Sequence, residues 1–241
     1  MKTIALINNK GGVGKTTVAI NLSAYLTSKG KKILLIDLDS QGSAGLSLGF
    51  GRNPEGITMT EILFDKAPVS KGIRKTNVEN LDIILSREEI ADFDQVYKKD
   101  LNIVKRTMDK INGKYDYIFI DCPPALSLLA KNALVTADKL IIPITLDYLA
   151  IEGLTLLTKD VLAPRSPYMI LFNQVDNRLK VTEEIIDFVK KQHKDKVFIT
   201  TIKRNVRIKE APSFHKTIFD YDKHSSGAEC FKELGKEFLK W

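Results

Sequence analysis

The sequence predicts an α/β fold: a mostly parallel, twisted sheet of about seven to eight strands with helices on both faces. Three observations carry this. Short β-branched runs alternate with amphipathic stretches along the whole chain. Several runs are apolar almost throughout, as strands covered on both faces must be. The chain has 241 residues, 44% of them hydrophobic, enough for one large core.

Strands are expected at 3–8 (TIALIN), 32–37 (KILLID), 81–86 (LDIILS), 117–121 (YIFID), 139–145 (KLIIPIT), 168–173 (YMILFN) and 196–202 (KVFITTI). Helices are expected at 15–28, 101–112, 125–136, 150–162, 181–192 and 226–240. The alternation implies right-handed crossovers. Ligands of such sheets bind beyond the carboxyl ends of the strands. Segment 49–80 is rich in Gly, Pro and Lys and reads as loops around one short helix at about 58–64. No repeat, low-complexity tract or linker interrupts the chain, so residues 1–241 read as one domain.

The formal charge is +7 and the pI about 9.2, which points to an anionic partner, nucleic acid or an acidic membrane surface. The two cysteines, Cys122 and Cys230, have no metal or redox spacing and give no disulfide framework, so the chain reads as cytosolic. The apolar run Ile4 to Ile7 is too short for a signal peptide, and no run has the length of a membrane span.

NNKGGVGKTT (8–17) follows a strand and opens a helix, the context of a phosphate-binding loop. Glycines 11, 12 and 14 let the backbone curl so that its amides face a β-phosphate. Lys15 can reach the β- and γ-phosphates, and the Thr16 hydroxyl can ligate magnesium. Two details depart from G-x-x-x-x-G-K-[ST]. Asn9 stands where the first glycine belongs, and a second lysine, Lys10, precedes Gly11.

KGGVGKTT at 10–17 resembles the deviant Walker A motif of the ParA/MinD class of P-loop ATPases. The resemblance implies a P-loop NTPase domain that binds ATP and Mg2+, hydrolyses ATP and forms a homodimer on ATP. Gly11, Gly12, Val13, Gly14, Lys15, Thr16 and Thr17 then surround the nucleotide of their own subunit. Lys10 reaches across the dimer to the phosphates of the other subunit and stabilises developing charge as an arginine finger does.

LLIDLDSQGSA (34–44) ends a strand with two acids. It resembles the family's second signature, with Ser40 where proline is usual. The resemblance gives Asp39 the positioning of the attacking water and Asp37 a place in the magnesium surroundings; helix capping before Gly42 is the alternative for both. YIFIDCPPALS (117–127) looks like a Walker B strand in which Asp121 holds magnesium through water. Cys122 reads as a small buried residue rather than a nucleophile. In LFNQVDNR (171–178), Asn173 matches the family asparagine that contacts adenine, and an asparagine closing a strand is the alternative. Pro212 is a further candidate for flanking the base.

Nine basic residues between 190 and 216 face only Asp195 and Glu210, a local net of +7. This one region can therefore account for the whole formal excess, either as a solvated face or as a binding surface. KRNVRIKEAPSFHKTIFDYDKHSSGAECFKEL (203–234) resembles the carboxyl segment of ParA-type partition ATPases, with Ile208 for the usual leucine and Phe214-His215 where a glycine-containing turn is common. The resemblance runs from Lys2 to Phe238. It implies binding of double-stranded DNA without sequence preference through Lys203, Arg204, Arg207, Lys209 and Lys216, stimulation by a ParB-type partner, and a cytoplasmic, nucleoid-associated protein. No helix-turn-helix precedes the loop, which argues against operator-specific repression.

A MinD-like membrane-associated regulator is the competing reading. AECFKELGKEFLKW (228–241) spaces Phe231, Leu234, Phe238 and Trp241 as a helix with lysines between. Glu229, Glu233 and Glu237 interrupt its cationic face, which favours docking on the core. A nitrogenase-type reductase is set aside because two distant cysteines do not fit a shared cluster.

Overall fold

The computed structural model describes residues 1–111, 113–158, 167–176, 178 and 181–241. The chain begins with Lys2–Leu6 (β1), which becomes the interior of the sheet because Ile4, Ala5 and Leu6 are fully buried. Then follow Lys15–Thr27 (α1), Ile33–Asp37 (β2), Ser43–Ser47 (α2), Met59–Phe64 (α3), Val69–Gly72 (α4), Ile73–Lys75 (β3) and Leu81–Ile84 (β4). Phe93–Tyr97 (α5), Ile103–Met108 (α6), Tyr117–Asp121 (β5), Leu128–Thr136 (α7), Lys139–Ile144 (β6), Tyr148–Leu156 (α8) and Tyr168–Val175 (β7) continue the chain. Val181–His193 (α9), Ile202–Lys203 (β8), Val206–Glu210 (α10), Ile218–Asp222 (α11) and Ser226–Lys240 (α12) complete it.

One eight-stranded sheet has the order β3-β4-β2-β5-β1-β6-β7-β8. All its pairs are parallel except β3–β4, which is antiparallel at the edge. Two cores cover its faces. Ile118 and Ile120 of β5 belong to one, and Phe119 between them belongs to the other, together with α1 and α12 side chains.

Several boundaries differ from the expectations. The run 196–202 is not a continuous strand: Val197 forms one bridge to Ile170, and only Ile202–Lys203 pair as a strand. Between them, the Glu237 carboxylate accepts the Ile199 and Thr200 amides at 2.7 and 2.9 Å, replacing a strand partner. The edge strand β3 lies inside the segment expected to be loops. The helix expected from 125 starts at Leu128, because Ser127 caps it by accepting from the Ala130 amide after Pro123-Pro124. The helix expected at 101–112 spans Ile103–Met108. The helix expected at 150–162 begins two residues earlier, and its positions 159–162 lie outside the described residues. The short helix at 59–64 forms as expected, with a capping box between Thr58 and Glu61.

The apolar stripe of α12 faces the sheet. Phe231, Leu234 and Phe238 are buried, and the Phe238 ring lies 5.5 Å from Tyr117 and 5.8 Å from Phe119. The Lys139 ammonium sits 4.3 Å over the Trp241 ring and donates to the Trp241 carbonyl. Gly235 lets α12 approach α1 so closely that a Cβ there would overlap the Tyr25 ring. No helix among the described residues is long and apolar enough to cross a membrane.

Gly235→Ala tests this docking. Helix propensity favours alanine by about 1 kcal/mol, but overpacking against Tyr25 costs about 1–3 kcal/mol. The variant is expected to unfold at lower urea concentration than the parent. Equal or higher stability would mean that α12 sits less firmly on α1.

Candidate active site

The loop between β1 and α1 lies at the carboxyl end of the sheet. Gly12 and Gly14 adopt φ of 73° and 91°, the left-handed region that side chains resist. Val13 between them is buried. Asn8 anchors the entry: its side-chain amide donates to the Pro143 carbonyl at 2.7 Å, and its oxygen accepts from the Lys10 amide at 2.9 Å.

The two lysines have different surroundings. Lys15 is 7% exposed, and its ammonium donates to the carbonyls of Asn8 (3.3 Å) and Lys10 (3.4 Å). Burial lowers its pKa, while the charges of Asp121 and Asp39 oppose that shift. Lys10 lies at the rim. Its ammonium meets both oxygens of Asp147, at 2.8 and 2.7 Å, and Asp147 also accepts from the Thr145 hydroxyl at 2.7 Å. Within the chain, therefore, Lys10 points to a carboxylate that the sequence did not single out.

The three acids also divide. Asp37 and Asp121 are register partners across β2 and β5, and both are fully buried. Asp37 accepts from the amides of Asp39 (3.0 Å), Ala44 (3.0 Å) and Gly45 (3.4 Å). It thus holds the first turn of α2, the capping alternative. Burial, followed by the Asp121 charge, pushes its carboxyl well above the usual range against these amides. Asp121 accepts from the Thr16 hydroxyl at 2.6 Å, and its Oδ1 is buried without a hydrogen-bond partner. Burial raises its pKa to about 7, opposed by the Thr16 bond and the Lys15 charge. Half-buried Asp39 accepts from the Gln41 amide at 3.1 Å. Cys122 is buried, and burial raises its thiol far above the range of a nucleophile.

A buried carboxylate oxygen without a partner beside a threonine hydroxyl suits a hard cation. No group of three or more His, Cys, Asp and Glu side chains among the described residues forms an all-protein cage. Thr16 and Asp121 fit a magnesium ion that keeps waters and takes its other oxygens from an anionic ligand.

Beside the loop lies a cavity of about 190 Å³ whose lining includes Gly14, Thr17, Asn173, Gln174, Lys209 and Pro212. Asn173 is 3% exposed, and its amide donates to the Val13 carbonyl at 2.6 Å. Asn173 and Pro212, expected at the base, do share this cavity.

The basic residues are split. Lys203, Arg204 and Lys209 line a second cavity of about 490 Å³ together with Arg178 and Asp176. Arg178 pairs with Asp176 at 2.5 Å and is 85% exposed. Arg207 and Lys216 are not in that lining; Arg207 pairs with Glu210 at 3.1 Å and Asp222 at 3.6 Å. Lys196, at the amino end of β7, lies 4.8 Å over the Tyr168 ring. β7 runs Tyr168–Val175, which spans about 3.3 Å per residue. The run from Lys190 to Lys196 therefore lies at the opposite end of the sheet from Arg204, and the +7 of segment 190–216 does not form one patch.

A family model described as an AAA domain matches residues 1–166. The chain is 40% identical to the sporulation initiation inhibitor protein Soj of Bacillus subtilis (strain 168), covering 98% of this chain and 97% of that protein. It is 39% identical to the chromosome-partitioning ATPase Soj of Treponema pallidum (strain Nichols), covering 99% and 97%. The chain belongs to the Soj/ParA family of P-loop ATPases. Among solved structures, it resembles a protein described as a plasmid partition protein from Borrelia burgdorferi B31 bound to AMPPNP, with TM-score 0.85, 28% identity and coverage of 99% and 98%.

His215, in place of the glycine-containing turn, still adopts φ 56°, and its Nδ1 lies 3.0 Å from the Leu46 carbonyl. The turn keeps the shape a glycine would favour and gains a tie to α2. Gln174, Asp147 and Arg178 escaped the sequence reading. Each follows or precedes a predicted strand by position only, and no motif spacing marks it.

Lys10 and Asp147 are 37% and 42% exposed, so their pairing contributes little to folding. Lys10→Ala is expected to change the unfolding free energy by less than about 1 kcal/mol in chemical denaturation. A larger loss would make Lys10 a structural residue.

Proposed function

We propose that the chain is the Mg2+-dependent ATPase of a plasmid or chromosome partition system. It acts as one domain over residues 1–241, dimerises with ATP, binds duplex DNA without sequence preference in that state, and hydrolyses ATP under stimulation by a ParB-type partner. The observation that carries this is the two-lysine loop: Lys15 is buried on the carbonyls of Asn8 and Lys10, with the Thr16–Asp121 hydrogen bond beside it, while Lys10 stands at the rim in an ion pair that is cheap to break. The relative in Treponema pallidum is named a chromosome-partitioning ATPase, and the Borrelia protein holds AMPPNP.

The loop amides and Lys15 bind the phosphates and pre-pay the cost of orienting them. Magnesium, when bound, neutralises charge on the β- and γ-phosphate oxygens. Thr16 and Asp121 hold that ion's side of the site. Asp39 orients the attacking water. Asn173 has given one N–H to Val13, and its second N–H and its carbonyl are what it offers a purine edge. Two features support action in trans. Lys10 is accessible, and Gly11 has no reason inside its own subunit to be glycine, since an added Cβ meets only Pro124 at 3.8 Å and φ is not positive. A second subunit facing the loop supplies such a reason.

For DNA, the cleft of Arg178, Lys203, Arg204 and Lys209 presents four cations against Asp176, on the same side of the sheet as the phosphate loop. Two such clefts in a dimer engage one duplex far more strongly than one. On this reading the protein works in the cytoplasm, on the DNA of the nucleoid. The buried stripe of α12 leaves little to insert into a lipid surface, so the membrane reading loses its main feature.

An ATPase assay with calorimetric binding tests the chemistry. Lys15→Gln is expected to lose nucleotide binding. Lys10→Ala is expected to bind ATP yet hydrolyse it roughly 10³-fold more slowly. Asp39→Ala is expected to slow hydrolysis by about 10²–10⁴-fold and accumulate an ATP-bound dimer in light scattering. Full activity of Lys10→Ala as a monomer would defeat the trans arrangement.

Fluorescence anisotropy on two unrelated duplexes at several salt concentrations tests the DNA surface. With ATP, Arg178→Glu and Arg204→Glu should weaken binding equally on both sequences. Each cation–phosphate pairing removed should lower the log–log salt slope by about 0.9. Unchanged affinity and slope in the double variant would leave the cleft a solvated surface.

A further inference from the structure

We infer that Gln174 is a positioning residue that, together with Asn173, holds the phosphate loop in its anion-binding shape from outside. This rests on the nucleotide reading above. The Gln174 amide donates to the Gly12 carbonyl at 2.6 Å, and the neighbouring Asn173 amide donates to the Val13 carbonyl at 2.6 Å. Two successive side chains of β7 therefore hold two successive carbonyls of the loop.

Regular strand geometry forbids this. Successive side chains of a strand point to opposite faces. Here the ladder slips: Asn173 pairs with Ile202 and Val175 with Lys203, leaving Gln174 as the extra residue of a bulge. Gln174 adopts φ 56°, a left-handed conformation that a non-glycine residue resists. The bulge and the left-handed residue turn both amides toward the same loop. Non-glycine strain of this kind persists where surrounding contacts over-determine it.

The consequence follows from the peptide bond. In a trans peptide the carbonyl and the next N–H point in opposite directions. Holding the Gly12 carbonyl toward Gln174 turns the Val13 N–H away from it. Holding the Val13 carbonyl toward Asn173 does the same to the Gly14 N–H. Gly12 and Gly14 are free to rotate, with φ of 73° and 91° and no side chains to restrain them. Nothing in their own chemistry fixes which way these peptides face. The clamp fixes it, and leaves both N–H groups for an anion on the opposite side.

Two substitutions separate this role from a structural one. Gln174→Gly removes the amide and also relieves the left-handed strain. Gln174→Met keeps the length and removes the donor. Binding of ADP is measured by calorimetry, and fold by thermal unfolding. Both variants are expected to bind ADP roughly 3- to 10-fold more weakly, the effect of one hydrogen bond. Gln174→Gly is expected to melt at or above the parent temperature, so its weaker binding cannot come from a damaged fold. ADP affinity within twofold of the parent in both variants would overturn the inference. So would a loss confined to Gln174→Met, which would indicate crowding by the new side chain. A parent protein that fails to bind ADP would overturn the nucleotide reading, and this inference with it. A parent that binds, with variants that bind equally, overturns only this inference.

Discussion

Asp37 and Asp121 stand side by side on neighbouring strands, both without exposure, and the rest of the site is arranged around that pair. Neighbouring strands lie about 4.8 Å apart, and two full charges at such a separation repel by about 3 kcal/mol at an effective dielectric of 20. Burial raises the pKa of both carboxyls, and the Asp121 charge adds to the shift at Asp37. Asp37 resolves its share locally, through three backbone amides around the start of α2. Asp121 has only the Thr16 hydroxyl and the nearby Lys15 charge, and one of its oxygens is left over. A cation arriving beside Thr16 relieves what the protein alone does not. The loop, α2 and the strand ends are thereby tied to a single electrostatic problem at the carboxyl edge of the sheet.

How much of this was legible depended on whether the signal was local. The six long strands were readable because each is a nearly continuous apolar run that no solvent face interrupts. The edge strand β3 was not: its sequence, IRK, is three residues of mixed character, half-exposed, with an antiparallel partner on one side only. The misread run at 196–202 has strand composition, but its amides are taken by Glu237, a residue thirty-eight positions from Ile199. No window of sequence contains that competition. The same holds at the site. Lys15, Thr16 and Asp121 announce themselves by motif. Asp147, which holds Lys10, is 137 residues from it, and Gln174, which holds Gly12, is 162 residues from it.

Charge was the least legible property. A run of nine basic residues suggests one surface only if the chain that carries it stays in one place. Here it crosses the sheet from the amino end of β7 to the carboxyl end of β8. Lys196 rests on Tyr168 at the first end, and Arg204 lines the cleft at the second. Arg207 is drawn off by Glu210 and Asp222. Meanwhile Arg178, outside the run, shares the cleft lining with Lys203 of β8. Spatial charge density is set by topology, and a sum over a segment does not measure it.

The two lysines of the loop show how burial assigns roles to identical side chains. Lys15 is buried, partly desolvated, and bonded to two carbonyls of the loop itself. Moving it would leave those carbonyls and the charge of Asp121 unanswered, which costs several times the net value of an ordinary hydrogen bond. It is therefore fixed to the site it serves. Lys10 has an equally good partner by distance, with both Asp147 oxygens inside 3 Å. But that pair is more than a third exposed, where water replaces a lost ion pair at a cost below about 1 kcal/mol. A lysine held so lightly can change partners whenever a stronger anion comes within reach. In the dimer proposed above, phosphates carried on the facing subunit would be such an anion; the difference between the two lysines lies in their solvation, since their side chains are the same.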